Sequence, residues 1–173
     1  MNRRATKSDI KRYQTVFAKD SGSVAAPTAS LNMTEELLTK LSAKGIEVTY
    51  LTLHVGLGTF LPIRTDNLED HKMHKEYFEI PQSTIARIYD AKRRNRRVVA
   101  LGTTVTRTLE YANDEIMAMG QKLADDPEHV SRDKLIGEAD IFIYPGYEFK
   151  VVDVMITNFH APKSTVLMMA SSF

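Results

Sequence analysis

The chain contains no cysteine. Disulfides and thiolate metal sites are therefore excluded, and a reducing cytoplasm suits the composition. No apolar run is long enough to cross a bilayer, and the first dozen residues are polar and basic rather than a signal peptide. An excess of one charge is missing too. There are 23 Lys and Arg against 22 Asp and Glu, a formal net charge of +1, which by itself points to no class of partner. No internal repeat or low-complexity tract interrupts the 173 residues. What remains is an ordinary globular composition, 43% hydrophobic and 26% charged, long enough to bury one core.

The charges cluster in places. Arg3, Arg4, Lys7, Lys11 and Arg12 make a basic start, and Lys92, Arg93, Arg94, Arg96 and Arg97 a second basic knot. Asp125, Asp126 and Glu128 make a small acidic loop. Basic clusters can contact phosphates. The second knot reads first as a solvated helix end, where the helix dipole favours cations.

Periodicity and punctuation predict short strands over 13–18, 47–55, 76–80, 97–101, 141–144 and 151–157. Helices are predicted over 35–44, where Thr34 starts and Gly45 stops the element, over 81–94 after Pro81, over 105–119, and from Ser164 onward. Residues 21–30, 56–59 and 120–137 read as loops. Strand–helix alternation gives an α/β class, expected as a layered α/β sandwich around a mixed sheet. The apolar segment 166–173 reads as two turns of a buried helix that stops at the last residue, so the chain looks cut.

Several groups could do chemistry. Gly56 and Gly58 follow a strand, but the third glycine of the dinucleotide fingerprint and a Walker lysine are both missing. The 56–59 loop, with Thr59, reads either as a tight structural turn or as a place where main chain approaches a flat or bulky ligand. His71 and His74 are one helical turn apart, and His54 and His160 sit at strand ends. No HExxH pattern accompanies them, so no metal is expected, and imidazoles suited to proton transfer near neutral pH are the better reading. Gly102, Thr103 and Thr104 stand between a strand and a helix, where amides and hydroxyls can cradle a phosphate or carboxylate. Arg107, one turn on, can add a bidentate clamp. Asn158, His160, Lys163 and Ser164 supply donors, acceptors and a cation after the last strand, where open α/β sheets bind ligands. No Ser-His-Asp order or nucleophile elbow is present. Tyr144, Tyr147, Phe149 and Phe159 suit either base stacking or a core.

Seven strings run in one order along nearly the whole chain: RYQTVFA (12–18), VAAPTASL (24–31), TLHVGLGTF (52–60), HKMHKEYFEI (71–80), GTTVTRTLE (102–110), FIYPGYEFKVVD (142–153) and ITNFHAPKST (156–165). Together they resemble the S-adenosylmethionine:tRNA ribosyltransferase-isomerase family of queuosine biosynthesis. The resemblance implies a cytoplasmic enzyme. It transfers and isomerises the ribosyl part of S-adenosylmethionine onto 7-aminomethyl-7-deazaguanine at the wobble position of tRNA, giving epoxyqueuosine and releasing adenine and methionine. S-adenosylmethionine is then a co-substrate and the precursor tRNA the partner.

The resemblance also implies two domains, so that 1–173 is expected to be part of the α/β catalytic domain without the family's inserted β-barrel. Candidate catalytic residues are His54, His71, His74 and His160. Candidate substrate-binding residues are Pro27, Thr28, Gly56, Gly58, Thr59, Gly102, Thr103, Thr104, Arg107, Tyr144, Asn158, Lys163 and Ser164. Asn32 stands where the family usually has histidine, Val105 and Thr106 replace Ser-Val, and Ala161 replaces leucine. The rival reading is a catalytically inactive RNA- or nucleotide-binding remnant of the same fold.

Overall fold

Strand β2 (Glu76–Pro81) alternates strictly between buried and half-buried residues, as a half-covered strand must. The computed structural model describes residues 6, 13–19, 22–56, 71, 73–126, 128 and 133–173. β2 is the middle of a three-stranded antiparallel sheet, between β1 (Thr52–His54) and β4 (Lys134–Ala139). A second sheet pairs β3 (Val99–Leu101) with β5 (Val154–Ile156) in parallel. The α/β class expected from sequence is present, but among the described residues as two small sheets, each of one sense, rather than one mixed sheet.

Helix α1 (Glu35–Ala43) begins where Thr34 Oγ1 accepts from the Leu37 amide at 3.1 Å, and Gly45 ends it at φ 75°. Pro81 leads into α2 (Gln82–Arg93). The single helix expected over 105–119 is two, α3 (Thr103–Tyr111) and α4 (Asn113–Asp125), parted at Ala112. Asn113 Nδ2 donates to the Glu110 carbonyl at 2.9 Å, answering a carbonyl that the break frees. Ser164 caps α5 (Thr165–Ala170). The core joins Phe78 and Ile80 of β2, Ile85 and Ile88 of α2, Ala100, Leu109, Ile116, Val151 and Val152. Arg93 and Arg94 pair with Asp90 at the end of α2, and Lys92 pairs with Asp153, so three of the five residues of the second basic knot are ion-paired.

Other differences from the expected elements have local causes. Residues 13–18 form turns, because Thr15 takes up the amides of Phe17 and Ala18. Of residues 47–55, only Thr52–His54 enter a ladder. Thr84 Oγ1 donates to the Tyr50 carbonyl at 2.7 Å and meets Thr49 Oγ1 at 2.6 Å, which holds that stretch on α2. Residues 141–144 are not a strand. They lead into a type II turn in which the Tyr147 amide donates to Tyr144 and Gly146 takes φ 102°. The stretch predicted as loop over 120–137 holds the end of α4 and the start of β4.

Candidate functional site

β3 and β5 run side by side, so the residues that follow them emerge at one edge. Gly102, at φ 106°, donates its amide to the Ile156 carbonyl at 2.8 Å, and its own carbonyl accepts from the amide and hydroxyl of Thr106. Thr103 and Thr104 form the first turn of α3. Beside them, Thr157 Oγ1 lies 3.0 Å from His160 Nε2, while Asn158 and Phe159 are exposed, Phe159 at 105%. Burial holds His160 below the usual imidazole range, so its ring is neutral at neutral pH. Lys163 is exposed at φ 59°. Ser164 is occupied as a cap, accepting from Leu167 and donating to Ala161. A 3-10 turn, Thr28–Ser30, docks on this edge: Ala29 Cβ is 3.8 Å from where a Cβ on Gly102 would stand. Pro27 and Thr28 are exposed on its rim.

The other histidines gather at one end of the antiparallel sheet. His54 ends β1 opposite Tyr77, with ring centroids 5.4 Å apart. His71 packs on Phe142 at 5.1 Å, and Phe142 on Tyr144 at 5.3 Å, beside a cavity of about 330 Å³ lined by Phe142, Tyr144, Pro145, Gly146 and Tyr147. His74 is exposed just before β2, and neither it nor His71 lies on a helix. Tyr77 Oη donates to Glu79 at 2.9 Å, and Lys134 pairs with the same carboxylate, which together hold Glu79 below its ordinary range. Gly56 follows with open space where a side chain would stand, whereas Gly58 and Thr59 lie outside the described residues. A second cavity, between α2 and α4 at Tyr89 and Gly120, carries none of the candidate residues.

Two links hold these ends together. The Val24 amide donates to the Val55 carbonyl at 3.1 Å, and only five residue steps, able to reach about 18 Å at most, lead from Val24 to Ala29 at the parallel edge. The second link is an ion pair between Arg107 of α3 and Glu76 at the start of β2, with residues 2% and 1% exposed. Arg107 sits about 6 Å along the helix from Thr103. Arg107 is thus turned into the protein against Glu76 and is not a surface arginine.

The chain matches the family described as queuosine biosynthesis protein over residues 1–173. It belongs to that family. It is 56% identical over 173 residues to the S-adenosylmethionine:tRNA ribosyltransferase-isomerase of Chlorobaculum parvum, covering 100% of this chain and 48% of that protein. The protein of the same name from Natranaerobius thermophilus is 53% identical over 167 residues, covering 95% and 44%. The crystal structure of S-adenosylmethionine tRNA ribosyltransferase from Thermotoga maritima superposes with a TM-score of 0.58 at 35% identity, over 84% of this chain and 41% of that one. The chain therefore spans about half the length of the curated relatives it matches.

Within this queuosine-family chain, the structure also brings forward residues that sequence reasoning left unassigned. Glu110, 0% exposed, accepts from the amides of Lys150, Val151 and Val152 at 2.8–3.0 Å and from Tyr147 Oη at 3.2 Å. It thereby joins two of the family strings, 102–110 and 142–153, and fixes the turn that carries Tyr144. Burial, and next the Glu110 charge, push Tyr147 up to about 12. Glu76 was equally unassigned. A glutamate in an amphipathic pattern reads as solvent-facing, and no local signal marks either as buried. Among the described residues, no group of three His, Asp or Glu is placed to hold a metal ion, and no helix is long and apolar enough to cross a membrane.

Proposed function

We propose that this chain carries ribosyl transfer and isomerisation from S-adenosylmethionine to 7-aminomethyl-7-deazaguanine in the wobble position of tRNA, in the cytoplasm. The products are epoxyqueuosine in the tRNA, adenine and methionine. The observation that carries this reading is membership of the queuosine family along all 173 residues. The grouping of Pro27, Thr28, Gly102, Thr103, Thr104, Asn158 and His160 at one sheet edge supports it.

The chemistry needs a base that removes a proton next to the sulfonium. His160 suits that task, because a neutral ring at neutral pH has a lone pair to offer and Thr157 orients it. The methionine carboxylate suits the free amides and hydroxyls of Thr103 and Thr104 at the start of α3. Gly56 and the aromatic group of Tyr144 and Phe142 suit the flat rings of a nucleoside, with Asn158 and Lys163 as polar contacts for ribose or phosphate. His71 and His74 stand on the same side as those rings.

His160→Ala should lower adenine release from S-adenosylmethionine, with precursor tRNA present, by about 100-fold or more while leaving the melting transition cooperative. Undiminished release from a folded variant would remove His160 from the role of base. A wild-type chain that binds S-adenosylmethionine yet releases no adenine would favour the inactive remnant.

A further inference from the structure

His54 closes β1 with one ring nitrogen shut in. Nδ1 is inaccessible to solvent and has no hydrogen-bond partner, whereas Nε2 is not shut away. What covers Nδ1 is Gly22: a Cβ built on it would stand 2.2 Å from Nδ1 and 2.5 Å from Cε1. In glycine that direction holds only a hydrogen, so the Gly22 main chain can lie close over the Nδ1–Cε1 edge of the ring and shut Nδ1 from water. A proton on Nδ1 would be a buried donor with no acceptor, whereas a bare lone pair there costs less. Ser23 fixes the arrangement from the main chain. Its Oγ donates to the Leu53 carbonyl at 3.1 Å and accepts from the Val55 amide at 3.0 Å, bracketing His54 on both sides. The Tyr77 ring, 5.4 Å away, adds a wall.

We infer that Gly22 and Ser23 are positioning residues that hold His54 with its proton on Nε2, so that His54 meets the substrate as a hydrogen-bond donor and not as the base. A buried N–H with no acceptor is disfavoured by roughly tenfold or more, and an unpaired buried acceptor by less. The ligand atom that fits is an acceptor: a carboxylate or ribose oxygen, or an unprotonated ring nitrogen of a nucleobase. His160 and His54 then divide the work, one taking a proton and the other offering one, because their surroundings differ. The identity of the substrate rests on the proposed function; the position of the proton does not.

The test is nitrogen-15 NMR of the whole chain at about pH 8, above the ordinary imidazole range. His54 should show a pyridine-like Nδ1 and a pyrrole-like Nε2, with the two populations differing by about tenfold or more. Gly22→Ala should drive the ring out of its seat and move both resonances toward the average of exchanging tautomers. Ser23→Ala, at an exposed residue and milder for folding, should do so partially. A pyrrole-like Nδ1 in the wild type, or averaged signals there, would overturn the inference. So would resonances that neither folded variant moves. The predicted tautomer without adenine release would count against the enzyme reading and leave this one standing.

Discussion

Replacing Glu110 with alanine should destabilise the fold by about 3–5 kcal/mol, measured by urea denaturation. The removed carboxylate accepts from three main-chain amides and one phenol, and Val151 and Val152 are buried with it. Each buried amide left without an acceptor costs about 1–3 kcal/mol, and the vacated volume adds a cavity term. That is a large part of the roughly 5–15 kcal/mol of a typical domain. Glu110→Gln keeps the shape but turns an N–H toward amides that need an acceptor, so it should lose less, about 2 kcal/mol.

The glutamine variant has a second readout. Tyr147 should titrate below the value of about 12 it has beside Glu110, though not at the ordinary 10.0, because burial is the larger cause of its shift. The sign for stability follows from the neutral phenol being favoured in the fold. Its contribution is complete below pH 10 and is lost as pH rises toward about 12. A Glu110→Ala variant as stable as the wild type would mean that the 150–152 segment finds its hydrogen bonds elsewhere.

The second large effect concerns the pair that ties the two sheets. Arg107→Met or Glu76→Leu alone should each cost about 3–5 kcal/mol, because each leaves a buried charge uncompensated. The double variant should be much closer to the wild type than the sum of the two, since two apolar side chains can replace a buried pair. Additive losses would contradict the pairing. The cycle also decides between the roles of Arg107. An Arg107 that served only to clamp a substrate carboxylate would raise KM on replacement and leave stability within about 0.5 kcal/mol.

The signals that were legible in sequence are those set by near neighbours. Thr34 and Ser164 mark helix starts through their own hydroxyls, Pro81 fixes the entry to α2, and Pro145–Gly146 forms the turn its residues require. The parallel edge was legible too, because Gly102 and Asn158 follow β-branched runs. What escaped depends on contacts distant along the chain. Gly120 and Gly137 read as loop residues, yet each is there because something presses on it. A Cβ on Gly120 would stand 2.4 Å from Tyr89 Cβ, and one on Gly137 2.7 Å from Phe78 Cζ. Both glycines therefore sit inside regular elements, α4 and β4, and the loop reading over 120–137 fails at its two ends for that reason.

Residues 141–152 misled in the opposite sense. Strands are expected over 141–144 and 151–157, but only Val154–Ile156 pairs, because the amides of Lys150, Val151 and Val152 go to a helix side chain, Glu110, which no periodicity reveals. At the candidate site, Gly102, Thr103 and Thr104 were legible as the junction between a strand and a helix. The inward turn of Arg107 and the cover over His54 were not, since both depend on partners 31 and 32 residues away in sequence, Glu76 and Gly22.

The most direct measurement is mass spectrometry of the wobble nucleoside after the chain is incubated with S-adenosylmethionine and precursor tRNA. The account predicts conversion of the 7-aminomethyl-7-deazaguanine nucleoside to epoxyqueuosine, with one adenine released for each nucleoside converted. An unchanged nucleoside, from a chain that melts cooperatively and under conditions where a full-length relative converts it, would contradict the account.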